Sequence, residues 1–197
     1  MPEIEFWYDF ASTYSYLTAM RIEPAAAAAG VKVAYRPFLL GPIFKAQGLT
    51  TSPFALNPVK GRYMARDIAR IAADRGQVFH IPDPFPAHSL AAARIAMVAE
   101  AEGWIGPFTR AVFAAEFADR EDIAATDALS RIVTGLGHDP ARISAAAGTP
   151  ENKAALRDRT DAAAGKGIFG APTFVTVDGE IFWGDDRLEQ TLAWAVK

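Results

Sequence analysis

No cysteine occurs anywhere in the 197 residues. Disulfide frameworks, thiolate metal sites and redox chemistry on the protein's own sulfur are therefore excluded. Histidine is scarce as well. His80, His88 and His138 are the only three, and without an H-E-x-x-H or a cysteine pair they make no case for a bound metal. A serine hydrolase would need a G-x-S-x-G elbow, which is missing, and "GKGIFG" lacks the Ser or Thr that follows the lysine of a phosphate loop. Basic clusters are also absent. Twenty Lys and Arg face 23 Asp and Glu, a net charge of −3, and their scatter argues against a nucleic-acid or membrane surface. The N-terminal "MPEIEFWYDF" carries acids where a signal peptide needs a basic region, and no apolar run nears the ~18 residues of a spanning helix. A cytoplasmic location is the expectation.

What remains is a chain that is 51% hydrophobic, enough for a substantial core. "EIEFWYDF" (3–10) places Ile4, Phe6, Tyr8 and Phe10 on one strand face and Trp7 on the other. From Ser12 to about Ala29 the pattern is helical, with Pro24 predicting a kink or restart and Gly30 a terminator. "VKVAYRPFLL" (31–40) is strand-like until Pro37 and Gly41-Pro42 end it. This βαβ order predicts two parallel strands.

From about Ile43 to Ala164 the chain is mostly alanine-rich and helical. The windows are "GRYMARDIARIAADRG", "SLAAARIAMVAEAEG", "PFTRAVFAAEFADRED", "TDALSRIVTGLG" and "DPARISAAAG", with a proline-rich loop at "FHIPDPFPAH". After Gly170, the runs Thr173–Val177 and Glu180–Trp183 flank Asp178-Gly179, a hairpin signal. "DDRLEQTLAWAV" then forms a helix with Asp185 and Asp186 in its first turn. A lone two-strand unit is marginal in water, so the two β-rich ends must share a sheet. The expected fold is α/β, one domain from 1–42 and 165–197 with a helical domain inserted at 43–164.

At "YDFASTYSYL" (8–17) the pattern turns from strand to helix, with Ser12 and Ser15 three apart. On the residues alone, Ser12 is a plain helix cap. "GAPTF" before the hairpin resembles the cis-proline loop of thioredoxin folds, and Ser12 and Ser15 stand where thioredoxin-like oxidoreductases carry C-x-x-C. More specifically, "YDFASTYSYL", "NPVKGRYMARDI", "GIFGAPTF" and "FWGDDRL" resemble, in order, four blocks of the 2-hydroxychromene-2-carboxylate isomerases and kappa-class glutathione transferases. The similarity runs essentially end to end. Thr13 stands where that family usually has proline, and the family's asparagine nine residues before Lys60 falls at about Thr51 or Ser52.

The resemblance implies that Ser12 is catalytic and that bound glutathione supplies the thiol. It implies that the Ala171 backbone, beside a cis Pro172, pairs with the cysteinyl part of the tripeptide. Backbone amides of Asp185 and Asp186 would hold the γ-glutamyl carboxylate, the Asp186 side chain its amine, and Lys60 the glycine carboxylate. Trp7, Tyr14, Tyr63 and Trp183 are candidate walls for a small aromatic carboxylate substrate. Each has a plainer reading: the acids as dipole compensation, Lys60 as a solvated lysine, the aromatics as core. Arg187 fits a local ion pair, and Ser15 a place within the first helical turn. The implied activity is isomerisation of 2-hydroxychromene-2-carboxylate by a homodimer. The alternatives are a transferase acting on another electrophile and a non-catalytic module that binds glutathione or peptides.

Overall fold

Ile4, Phe6 and Tyr8 alternate along β1 (Glu3–Tyr8) and are fully buried. Helices packed on the sheet face that carries them explain their burial. The computed structural model of the chain describes residues 1–197. In it β1 runs parallel to β2 (Lys32–Pro37), from Glu3 beside Lys32 to Tyr8 beside Pro37. Its other edge runs antiparallel to β3 (Thr173–Thr176), which pairs in turn with β4 (Ile181–Trp183). The sheet order is β2-β1-β3-β4, so the two ends of the chain do share one sheet. Gly179, with φ of 88°, supplies the left-handed residue that the β3–β4 turn requires.

The β1–β2 crossover is two helices rather than one. α1 (Thr13–Ala19) stops at Met20, and α2 (Ile22–Ala29) restarts after Arg21. Pro24 falls in the first turn of α2, where its missing N–H has no helical partner to lose. Gly30 ends α2 in the left-handed region, φ 67°.

Both faces of β1 are covered. One face joins a cluster of 32 buried residues that includes Phe10, Leu17, Phe108, Phe113 and Leu192. The other face carries Trp7 into a smaller cluster with Phe38, Ile43, Ala163, Ile168 and Val175. Trp7, a candidate substrate wall on the sequence, is 3% exposed and packs as core beneath the helices of the second face. Its indole N–H donates to Glu5 at 2.9 Å.

The central segment forms α3 (Leu40–Ala46), α4 (Pro53–Leu56), α5 (Pro58–Asp74), α6 (Leu90–Ala101), α7 (Ile105–Phe117), α8 (Thr126–Gly135), α9 (Pro140–Ala147) and α10 (Pro150–Gly165). Each of the five expected windows holds a helix, and 79–88 is a loop. The larger core runs unbroken from Ile4 through Phe113 and Ile143 to Leu192, and α10 reaches the sheet through Ala163. Residues 42 and 165 therefore mark no gap in packing. Each buried ring in this seam contributes about 1.5–3 kcal/mol, so side-chain packing holds the helices to the sheet. A buried hydrogen bond from Tyr8 on β1 to Thr109 on α7, 2.7 Å, ties the same seam. The chain closes with a 3-10 turn (Asp185–Arg187) and α11 (Leu188–Ala195). No helix is long and apolar enough to cross a membrane.

Candidate active site

The strand-to-helix corner is built from Asp9 outward. The buried Asp9 carboxylate accepts the N–H of Ala11 at 2.9 Å and of Leu40 at 2.7 Å. These bonds fix the loop between β1 and α1, while burial pushes the Asp9 carboxyl above its ordinary pKa. Ser12 follows in extended conformation, its N–H bonded to the Asp9 carbonyl at 2.9 Å. It is the N-cap of α1: its Oγ accepts the Ser15 N–H at 3.1 Å. The same hydroxyl donates across the molecule to the Ala171 carbonyl at 2.9 Å. Ser15 contributes its amide to this cap, but its own hydroxyl is fully buried and has no partner.

Ala171–Pro172 is a cis peptide. The Pro172 carbonyl accepts the Gly184 N–H at 3.0 Å, and Thr173 donates to the Gly170 carbonyl at 2.8 Å. A side chain at Gly170 would strike the Trp183 indole, 2.5 Å away, so glycine is what lets that ring lie on the loop. Trp183 stays half open to solvent and packs on Phe169 at 4.9 Å between centroids.

Tyr14, on α1, donates to Asp67 of α5 at 2.9 Å. Burial and then the Asp67 carboxylate push its phenol well above the ordinary range, and the charge of Asp186 adds to the effect. The Tyr14–Asp67 bond joins α1 to α5 at this corner. Asp67 is a residue that motif matching does not single out. It lies within "NPVKGRYMARDI", seven positions after Lys60, which is two helical turns along one face. Tyr63 is exposed on α5, with the Arg70 guanidinium 5.8 Å from its ring centre. Lys60 is exposed in the first turn of the same helix, where Asn57 caps the Val59 and Lys60 amides at 3.1 Å each. Asn57 is thus a cap. Ser52 likewise spends its hydroxyl on the Phe54 amide, 3.3 Å.

The neighbouring acids of the last turn differ sharply. Asp185 is 3% exposed and fully paired, whereas the Asp186 side chain is 75% exposed, with Arg187 at 3.6 Å as its one ionic contact. Neither amide donates to an acceptor within the chain. A third buried acid, Glu116 on α7, is 1% exposed with both oxygens unpartnered. Burial, reinforced by Asp9 and Asp122, pushes its carboxyl well above the ordinary range.

A cavity of about 580 Å³ lies elsewhere, between Ala65 and Ala69 of α5, the 79–88 loop and residues 120–124. No residue of the Ser12 corner lines it. His80 and His88 border it, and His80 Nδ1 accepts from Arg120 at 2.9 Å. No group of three or more His, Asp or Glu side chains could hold a metal ion.

The model of the DsbA-like thioredoxin domain matches residues 3–194. The 2-hydroxychromene-2-carboxylate isomerase of Sphingobium xenophagum is 28% identical over 190 residues, covering 94% of each chain. Human glutathione S-transferase kappa 1 is also 28% identical, over 94% of this chain and 87% of its own length. A solved structure of 2-hydroxychromene-2-carboxylate isomerase superposes with a TM-score of 0.88 at 23% identity, over 98% of this chain and 93% of the other. From residue 3 to 194, the chain belongs to the DsbA-like thioredoxin domain family.

Proposed function

We propose that the protein is a glutathione-dependent isomerase that converts 2-hydroxychromene-2-carboxylate to trans-o-hydroxybenzylidenepyruvate, as in naphthalene-type degradation. One observation carries the reading. In a chain without cysteine, the Ser12 hydroxyl stands at the cap of α1, 2.9 Å from the carbonyl that precedes Pro172.

The residues present fit a tripeptide thiol. Asp185 and Asp186 have free amides, Asp186 has a solvent-facing carboxylate, and Ala171 presents a carbonyl engaged only by a serine hydroxyl. Glutathione, when bound, supplies the nucleophilic thiol that the chain lacks. A serine hydroxyl has one proton to give. Ser12 now gives it to Ala171; once that carbonyl takes a ligand N–H instead, the proton is free to face a thiolate. Ser15 N–H holds the oxygen in place throughout. The positive end of α1 acts in the same direction, and each pH unit by which a thiol pKa falls corresponds to about 1.4 kcal/mol.

In this reading Asp186 takes the ligand's ammonium group, and Lys60 takes the glycine carboxylate. Tyr14, Tyr63 and Trp183 give apolar surface for an aromatic substrate carrying a carboxylate. Tyr14 keeps its proton, because its phenol is held far above neutrality. The protein works in the cytoplasm as a homodimer.

The test is the rate of substrate conversion, followed by absorbance with and without glutathione. The reading expects turnover that depends on glutathione and falls roughly 10²-fold or more in Ser12→Ala, the scale for removing one preorganised donor. A transferase for another electrophile would use the same corner, and the human kappa enzyme is as similar as the bacterial isomerase. Glutathione binding without conversion would favour the transferase. Binding without any lowering of the thiol pKa would favour a non-catalytic module.

A further inference from the structure

Asp185 is held by a bracket of four bonds. Its Oδ1 accepts Thr18 Oγ1 at 3.0 Å and Arg21 Nε at 3.1 Å, and its Oδ2 accepts an Arg75 nitrogen at 2.8 Å. Its carbonyl accepts a second Arg21 nitrogen at 2.5 Å. The donors come from α1, from the joint between α1 and α2, and from the C-terminal cap of α5. Arg21 also pairs with Glu189 in the first turn of α11. Two guanidinium groups meet two carboxylates, so the bracket has no net charge with which to attract an anion.

Its effect is geometric. A carboxylate with partners on both oxygens cannot rotate, and the 185–187 turn is locked with it. The free amides of Asp185 and Asp186 leave this turn, and the Asp186 carboxylate folds back over Gly184. A Cβ at Gly184 would come 2.6 Å from Asp186 Oδ1, and the residue sits at φ 116°, a conformation that favours glycine. Gly184 is itself bonded to the Pro172 carbonyl. The direction of the Asp186 carboxylate thus depends on how Asp185 is held. Arg75–Asp185 is the one ion pair between α5 and the β-rich ends of the chain.

We propose that Arg75, acting through Asp185, is a positioning residue that sets affinity for the γ-glutamyl end of the thiol ligand. The proposal rests on the glutathione reading above. It makes a distinction among ligands. Arg75 matters for glutathione and not for cysteinylglycine, which has the same thiol and glycine carboxylate but no γ-glutamyl group.

The experiment measures binding of both peptides by calorimetry to the unsubstituted protein, Arg75→Gln and Arg75→Lys, with the thiol pKa of bound glutathione as a second readout. Glutathione should bind roughly tenfold more weakly to Arg75→Gln, the scale of one charge-assisted hydrogen bond. Cysteinylglycine affinity and the thiol pKa should not move, and Arg75→Lys should recover part of the loss. If Arg75→Gln does not fold, the same selective loss, smaller, is read in Arg75→Lys. Equal weakening of both peptides, or glutathione affinity within about twofold of normal in a folded variant, overturns the proposal and leaves the glutathione reading intact. Failure of the unsubstituted protein to bind glutathione overturns both.

Discussion

Two corners of the sheet half each carry a pair of like residues, one outward and one inward. At the start of α1, Ser12 is half open and bonded twice, while Ser15 is sealed in the core with no partner for its hydroxyl. At the start of α11, Asp186 faces solvent almost alone, while Asp185 is sealed in and held by three side chains. Burial is therefore not what makes an inner residue structural. Asp185 stabilises the fold because both of its carboxylate oxygens are partnered, whereas Ser15 is tolerated because a neutral hydroxyl is cheaper to strand than a charge. The outer residue of each pair is the one that reaches solvent.

The largest expected effect breaks the aspartate corner. Asp185→Ala takes from Arg75 its one carboxylate partner, leaves Arg21 with Glu189 alone and strands the Thr18 hydroxyl. A broken buried pair costs about 3–5 kcal/mol, and the lower end, about 3 kcal/mol, is expected because Arg21 and Arg75 keep partial access to water. Urea unfolding measures it; a loss below about 1 kcal/mol would mean the bracket contributes no more than a surface pair.

Glu116 combines the two corners, being an acid like Asp185 but unpartnered like Ser15. Its folded pKa lies above the ordinary 4.5, so between the two values the folded state binds the extra proton. Stability therefore falls as pH rises above about 4.5 and stops falling only above the folded pKa. Glu116→Gln removes that penalty, at about 1.4 kcal/mol for each pH unit that separates the folded and unfolded pKa values. The variant should match the parent near pH 4 and be more stable near pH 8, read by thermal melts across that range. A gap that does not widen with pH would contradict the assignment.

Ser12→Ala should cost about 1 kcal/mol of stability, the scale of a lost N-cap. Ser15→Ala should be neutral or stabilising by up to about 1 kcal/mol, since it removes a buried hydroxyl that bonds nothing. The same denaturation series gives both. A destabilised Ser15→Ala would show that this hydroxyl has a partner after all.

Much of this arrangement is legible in the chain. Period-two alternation marks β1, Asp178-Gly179 marks the hairpin, and Gly30 marks the end of α2. The corner at Ser12 is visible as a change of hydrophobic period. What stays hidden depends on distant partners. Asp185 meets Arg75 and Arg21 across 110 and 164 residues, and no local pattern announces such pairs, so its sequence suggests a ligand-facing amide or dipole compensation and nothing of these bonds. Trp7 reads as partly covered, but nothing local shows that α3 and α10 seal its face. α3 is masked by Gly41-Pro42, a turn signal that here lies within its first turn. α10 buries only Leu156, Thr160 and Ala163 along 16 residues, too thin a stripe for periodicity to register.

The central claim is that Ser12 stabilises a borrowed thiolate. Its most direct test is a pH titration of the ultraviolet absorbance of the glutathione thiolate bound to the unsubstituted protein and to Ser12→Ala. The account predicts a bound thiol pKa well below the ~8.5 of a free thiol, rising by about one pH unit or more in the variant. The same pKa in both proteins would contradict it, and Ser12 would then be a helix cap and nothing more.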